Sequence, residues 1–161
     1  MTHHFEIPER MKHLPLDDRG YPIPYFVPIV NGLPDFRFQD ARKKEACRKF
    51  MKCSVCGGRL LDKDFWFIQG PNGLQNSIGS DEAMHEECAK FSIAHCPHLL
   101  YEKSDRRTSD VPGLTTMLRK KPEKIFLIQA DKVYFIDAVH TRFRAVAVFP
   151  YKYEANKLIP A

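Results

Sequence analysis

The string Lys52-Cys53-Ser54-Val55-Cys56-Gly57-Gly58, answered by Met84-His85-Glu86-Glu87-Cys88, decides how this chain folds. Two residues between cysteines allow a knuckle turn that brings both sulfurs to one ion at about 2.3 Å. The glycines after Cys56 let the backbone curl so that amides face the thiolates. Positions three apart share a helix face, so His85 and Cys88 converge on the same ion. A helix N-terminus also favours a thiolate at Cys88. Three sulfurs and one imidazole make a closed tetrahedral donor set, and its best match is a structural Zn²⁺ at Cys53, Cys56, His85 and Cys88.

Residues 57–84 hold the β-prone run Phe65-Trp66-Phe67-Ile68 and a glycine-punctuated loop over 70–80. Ser80 or Asp81 is the expected cap of a helix running to about Cys96, with Pro97 ending it. Knuckle, strand and metal-bearing helix together resemble a treble-clef finger. Cys47 is the alternative fourth ligand in place of His85. Cys96 lies about 12 Å further along the helix and cannot reach the same ion. Both read as small buried hydrophobes. His95 and His98 are candidates for an outer contact or a surface metal site, whereas His13 and His140 have no local constellation.

Before the knuckle, residues 40–51 read as a helix capped by Asp40. Its wet face carries Arg42, Lys43, Lys44, Arg48 and Lys49, a candidate nucleic-acid or partner surface. Earlier still, Gly20-Tyr21-Pro22-Ile23-Pro24-Tyr25-Phe26-Val27-Pro28 is proline-punctuated and extended. It reads as an arm over 20–38 that covers a hydrophobic face, with Tyr21, Tyr25 and Phe26 as a candidate docking surface. Asn31-Gly32 is its turn. Residues 1–19 form a polar lead-in on which Met11 and Leu14 through Leu16 are the candidates for docking.

Beyond the helix, residues 101–124 are charged. The turn Asp110-Val111-Pro112-Gly113 is followed by a short helix at Leu114, Met117 and Leu118. Arg106, Arg107, Lys120 and Lys121 extend the basic surface. Three strands are expected at 125–128, 133–136 and 143–149, joined as an antiparallel meander with a turn at Ala130-Asp131-Lys132. Residues 151–161 form a partly ordered tail.

The bulk numbers narrow the class. The chain has 161 residues with 43% hydrophobic content, which supports one domain with a core. The net charge of +5 admits nucleic acid as a partner without demanding it. Five cysteines, three of them in the motif, favour metal thiolates in a reducing compartment. There is no apolar run of membrane-span length and no signal-peptide pattern. Cytoplasmic location is the resulting expectation.

Catalysis is weakly signalled. Four protein ligands leave no position for water. His85-Glu86-Glu87 has the H-x-E form of a zinc deaminase, but the C-x2-C precedes it and Cys88 adds a fourth ligand. A nuclease of the His-Asn-His finger type needs a hairpin His, and residues 57–80 contain none. Asp62, Asp64 and Asp81 are the acidic residues available for a hard cation.

As an ordered set, Gly20 to Phe26, Asn31 to Arg37, Cys53 to Gly57, and Met84 to Ala89 with Cys96-Pro97 resemble small proteins of bacteria and their bacteriophages. The resemblance spans roughly residues 20–100. It implies a phage or prophage origin and an intracellular role in a bacterial host, and it transfers no catalytic residue. The expected fold is α+β: a zinc module over 47–100 packed with a small antiparallel sheet over 125–149, within one domain over 20–150. The expected function is an accessory protein that binds another protein. The alternatives are nucleic-acid binding and a metal-dependent nuclease. An unpaired edge in the sheet would admit a homodimer.

Overall fold

Phe65-Trp66-Phe67 is aromatic enough to seek a sheet rather than a helix, and it becomes the strand that joins the two halves of the molecule. The structure is a computed structural model that describes residues 5–100 and 123–161. In chain order the elements are a 3₁₀ turn at Glu9–Met11, β1 (Ile29–Val30), β2 (Leu33–Pro34), α1 (Ala41–Phe50), β3 (Phe65–Gln69), α2 (Pro71–Asn76), β4 (Ile78–Gly79), α3 (Glu86–His95), α4 (Pro97–Leu100), β5 (Lys124–Phe135), β6 (Thr141–Glu154) and β7 (Lys157–Pro160). The turn at Asp110–Gly113 and the helix at Leu114, Met117 and Leu118 lie outside the described residues. So do the cations Lys103, Arg106, Arg107, Arg119, Lys120 and Lys121.

The fold is mixed α+β with an antiparallel sheet in the order β3-β5-β6-β4, and β7 pairs with β6. β3 and β4 are consecutive in this part of the chain, yet they flank opposite sides of the β5–β6 hairpin. The zinc module and the C-terminal sheet are therefore one unit, not two packed layers. Phe67 of β3 stacks on Phe143 of β6 with centroids 4.8 Å apart, and Trp66 stacks on Phe149 at 6.0 Å. Phe67, Leu127 and Ile128 are among the most deeply buried side chains.

Three expectations are corrected. Ala130-Asp131-Lys132 is not a turn. β5 runs unbroken through it, with register irregularities on either side of Ala130. Bulges absorb unmatched residues by kinking a strand without ending it, and Asp131 is fixed there by Arg144 at 2.7 and 2.9 Å. After Pro150 the chain continues as β6 to Glu154, turns through Ala155 and Asn156 in left-handed conformations, and returns as β7. Leu158 is buried there, and Tyr153 donates a hydrogen bond to the Leu99 carbonyl at 2.9 Å. Thirdly, the helix expected from Ser80 or Asp81 begins only at Glu86. Residues 82–84 are claimed by other partners: Ser54 N–H donates to the Ala83 carbonyl, and Met84 pairs with Trp66. Tertiary pairing overrides local helix preference here.

The lead-in contributes to the core. Met11 is 2% exposed and Leu14 is also buried, whereas Leu16, expected to dock with them, is exposed. The arm is stitched to the knuckle by Tyr25 N–H to the Val55 carbonyl (2.7 Å) and Phe26 N–H to the Ser54 carbonyl (3.0 Å). Asp40 caps α1 by accepting from the Arg42 and Lys43 amides.

Part of the basic face of α1 is spent internally. Lys44 and Arg48 reach the buried Glu82 at 3.1 and 2.8 Å, and Thr141 Oγ1 donates to the same carboxylate. This network bolts α1 to the start of β6. Removing one member of a buried ion network strands the rest, at about 3–5 kcal/mol. Glu82→Gln is expected to cost that much in urea denaturation, and Asp131→Asn, in its solvent-exposed pair, far less. Met11→Ala is expected to cost about 2–4 kcal/mol. Near-neutral outcomes for Glu82→Gln and Met11→Ala would contradict these placements.

Candidate metal centre

Two elements bring the four donors together. The first is the turn Cys53–Gly58, closed by Gly57 N–H to the Cys53 carbonyl and Cys53 N–H to the Gly58 carbonyl, both near hydrogen-bond optimum. Gly57 has φ +75, and a Cβ there would sit 3.0 Å from the Tyr25 ring. Glycine is needed at this position for both conformation and space. The second element is the first turn of α3, where His85 is the N-cap and Cys88 is the third helical residue.

Cys53, Cys56, His85 and Cys88 each offer one ligand atom, and these atoms all lie within 4.8 Å of one another. Among the described residues this is the one group of three or more His, Cys, Asp or Glu side chains able to hold a metal ion. Each residue is at most 4% exposed.

The surroundings are arranged for sulfur anions. Cys56 N–H and His85 N–H point at Cys53 Sγ at 3.5 and 3.4 Å, and Gly58 N–H points at Cys56 Sγ at 3.3 Å. His85 Nε2 donates to the Arg59 carbonyl at 2.7 Å. This fixes the tautomer and leaves Nδ1 facing Cys56 Sγ at 3.3 Å. His13 Nε2 donates to the Cys56 carbonyl at 2.8 Å and braces the knuckle from the lead-in. Arg10 pairs with Glu87 beside Cys88.

Charge balance follows from these contacts. Hydrogen bonding from the Cys53 and Cys88 thiols and the Gly58 amide drives the Cys56 thiol well below its ordinary range. Cys88, facing the same sulfurs and buried, is driven strongly upward. His85 is raised to about 10: burial opposes its charge, but the Cys53 and Cys56 sulfurs outweigh it. Protons thus hold together a cluster that a divalent cation would hold better. The donor set fits Zn²⁺ by its softness, its number and the preset imidazole nitrogen. The structure as a whole is compatible with a treble-clef-like zinc module.

Other candidates are placed elsewhere. Cys47 is buried under α1 outside the cluster, and burial pushes its thiol up to about 12. It is not the fourth ligand. Cys96 caps the end of α3. His95 packs in a triangle with Phe5 and Phe91, each 4.9 Å away, and burial lowers its pKa. Asp64 accepts from Trp66 Nε1 and Gln129, and Asp81 accepts from Gln39. Tyr21 stacks on Phe5, Tyr25 lies on Gly57, and Phe26 is half-buried.

His13, Arg10 and Glu82 were not legible from local motifs. Their partners lie tens of residues away, and no spacing rule connects them. Comparison with protein-family models, with curated proteins and with solved structures finds no match.

Metal uptake requires neutral Nδ1 and ionised sulfurs, so it releases protons. In the metal-free chain the raised His85 pKa has the opposite sign: its contribution to stability is present below the ordinary histidine range and is lost as pH rises through about 10. Retention of Zn²⁺, followed with a chromogenic chelator, is therefore expected to fall steeply as pH drops from about 7 to 5. A flat profile over that interval would contradict the ligand set. Gly57→Ala is expected to weaken retention by forcing Tyr25 off the knuckle.

Proposed function

We propose that this chain is a zinc-stapled binding module, an accessory protein that works by docking another protein and performs no chemistry at its metal. The carrying observation is the burial of all four donors, at most 4% exposed, which gives water and substrate no approach to the ion. The two glutamates of the H-x-E string support the same reading. Glu87 is paired with Arg10 and Glu86 with Lys90, both on the outer side of α3. Neither is held against the cluster as a general base would need to be.

The docking element is the tip of the arm. β1 and β2 form a two-residue hairpin around Asn31 and Gly32, both with positive φ, which suits the twist of the pair. Ile29, Val30 and Leu33 at this tip are 49%, 53% and 71% exposed. Val30 and Leu33 are cross-strand partners and share one face of the hairpin, an exposed aliphatic pair suited to an apolar groove on a partner protein. The base of the hairpin is tied down by the Asp35 N–H to Pro28 carbonyl bond and by the knuckle contacts of Tyr25 and Phe26. Zinc therefore acts on binding indirectly, by fixing the platform from which the tip projects. Among the described residues no helix is long and apolar enough to cross a membrane. A phage or prophage origin rests on the sequence resemblance alone, and a cytoplasmic site of action on that resemblance together with the cysteine usage.

A photo-crosslinking residue at Leu33, expressed in bacterial cells, tests the docking role. A discrete adduct lost on Val30→Asp is expected, with no adduct from the same probe at Lys157. Absence of a tip-dependent adduct would contradict the proposal.

A further inference from the structure

We infer that a second surface, built from Tyr25, Phe50, Lys43, Lys49 and Lys52, binds single-stranded nucleic acid. The zinc knuckle forms its floor, so the inference rests on the metal reading given above.

Phe50 ends α1 with 55% of its surface exposed. Met51 follows in a left-handed conformation with φ 49, which reverses the chain and lays Lys52 beside the helix end. The Lys52 ammonium then stands between two rings, 5.6 Å from Phe50 and 5.8 Å from Tyr25. Lys49 lies over the Phe50 ring at 5.5 Å and Lys43 over the Tyr25 ring at 5.3 Å, cation–π contacts that an incoming base would displace while the ammonium groups turn to phosphate. Three cations and two rings thus alternate in one run of contacts, Lys43, Tyr25, Lys52, Phe50 and Lys49. Tyr25 is a firm support, because its ring rests on the knuckle backbone where Gly57 has no side chain.

The charges on α1 divide into two sets. Lys44 and Arg48 are neutralised by Glu82. Arg42, Lys43, Lys49 and Lys52 have no ion pair among the described residues. On the helix only Glu45 is acidic, and Asp40 is occupied in the cap. What sets this face apart is the contact of the unneutralised lysines with two aromatic rings.

The chemistry selects the ligand. Ammonium groups spaced around aromatic rings offer phosphate contacts and base-stacking positions together, as single-strand binders do. A duplex buries its base faces and cannot use Phe50. An acidic peptide would use the lysines and leave the ring idle.

Fluorescence anisotropy with a labelled oligothymidylate of about twelve nucleotides tests this, with the zinc content of every variant measured alongside. Three lysine–phosphate contacts predict a log–log salt slope of about −2, falling to about −0.7 in Lys49→Gln/Lys52→Gln. Phe50→Ala is expected to weaken binding roughly 5- to 150-fold at unchanged zinc content, and Phe50→Trp to restore it with quenching of the new indole on binding. No affinity at low salt in the zinc-loaded protein would overturn the inference. So would equal affinity for duplex DNA, full competition by poly-glutamate, or indifference to Phe50→Ala. Loss of binding only together with zinc would also overturn it, since a surface ring must act while the metal stays in place. Failure of the metal reading would show separately, as a wild-type chain without zinc.

Discussion

Everything in this molecule hangs on the convergence of three sulfurs and one imidazole in a space that excludes water. Without an ion, that convergence is awkward: thiols crowd, protons are shared, and Cys56 and Cys88 are pushed in opposite directions. With Zn²⁺ the same crowding becomes coordination. Metal-binding energy in small zinc modules is of the order of 10 kcal/mol and is folding energy. It is comparable with the whole stability of a typical domain, about 5–15 kcal/mol.

The consequences spread outward from the cluster. The knuckle supplies the carbonyls that receive the arm and the space on which Tyr25 lies. The helix end supplies Cys88 and fixes α3 against the sheet. Met84, one residue before His85, pairs with Trp66 and so couples the donor cluster to β3. β3 in turn pairs with β5 and stacks Phe67 on Phe143, which carries the constraint to the C-terminal hairpin. Glu82 adds a second bolt, electrostatic rather than covalent in character, between α1 and β6.

How much of this was legible in the sequence depends on range. Cys53, Cys56, His85 and Cys88 could be singled out because metal chemistry imposes short spacings that local geometry must satisfy. The α1 cap at Asp40, the turn at Asn31-Gly32 and the β-prone runs were legible for the same reason: each is a local rule. The late start of α3 was not, because residues 82–84 are captured by partners on distant strands. Nor was the unbroken β5, since a polar triplet looks the same in a turn and in a bulge. Lys44 and Arg48 looked like wet-face cations until Glu82, far along the chain, neutralised them. Leu158 sits in a segment whose polar neighbours hide its one buried apolar contact.

The most direct measurement is zinc K-edge X-ray absorption on the purified protein, with metal stoichiometry determined on the same sample. The account predicts one zinc per chain with three sulfur neighbours at about 2.3 Å, one nitrogen at about 2.0 Å and no oxygen. A folded chain lacking stoichiometric zinc, or a first shell containing an oxygen ligand, would contradict it.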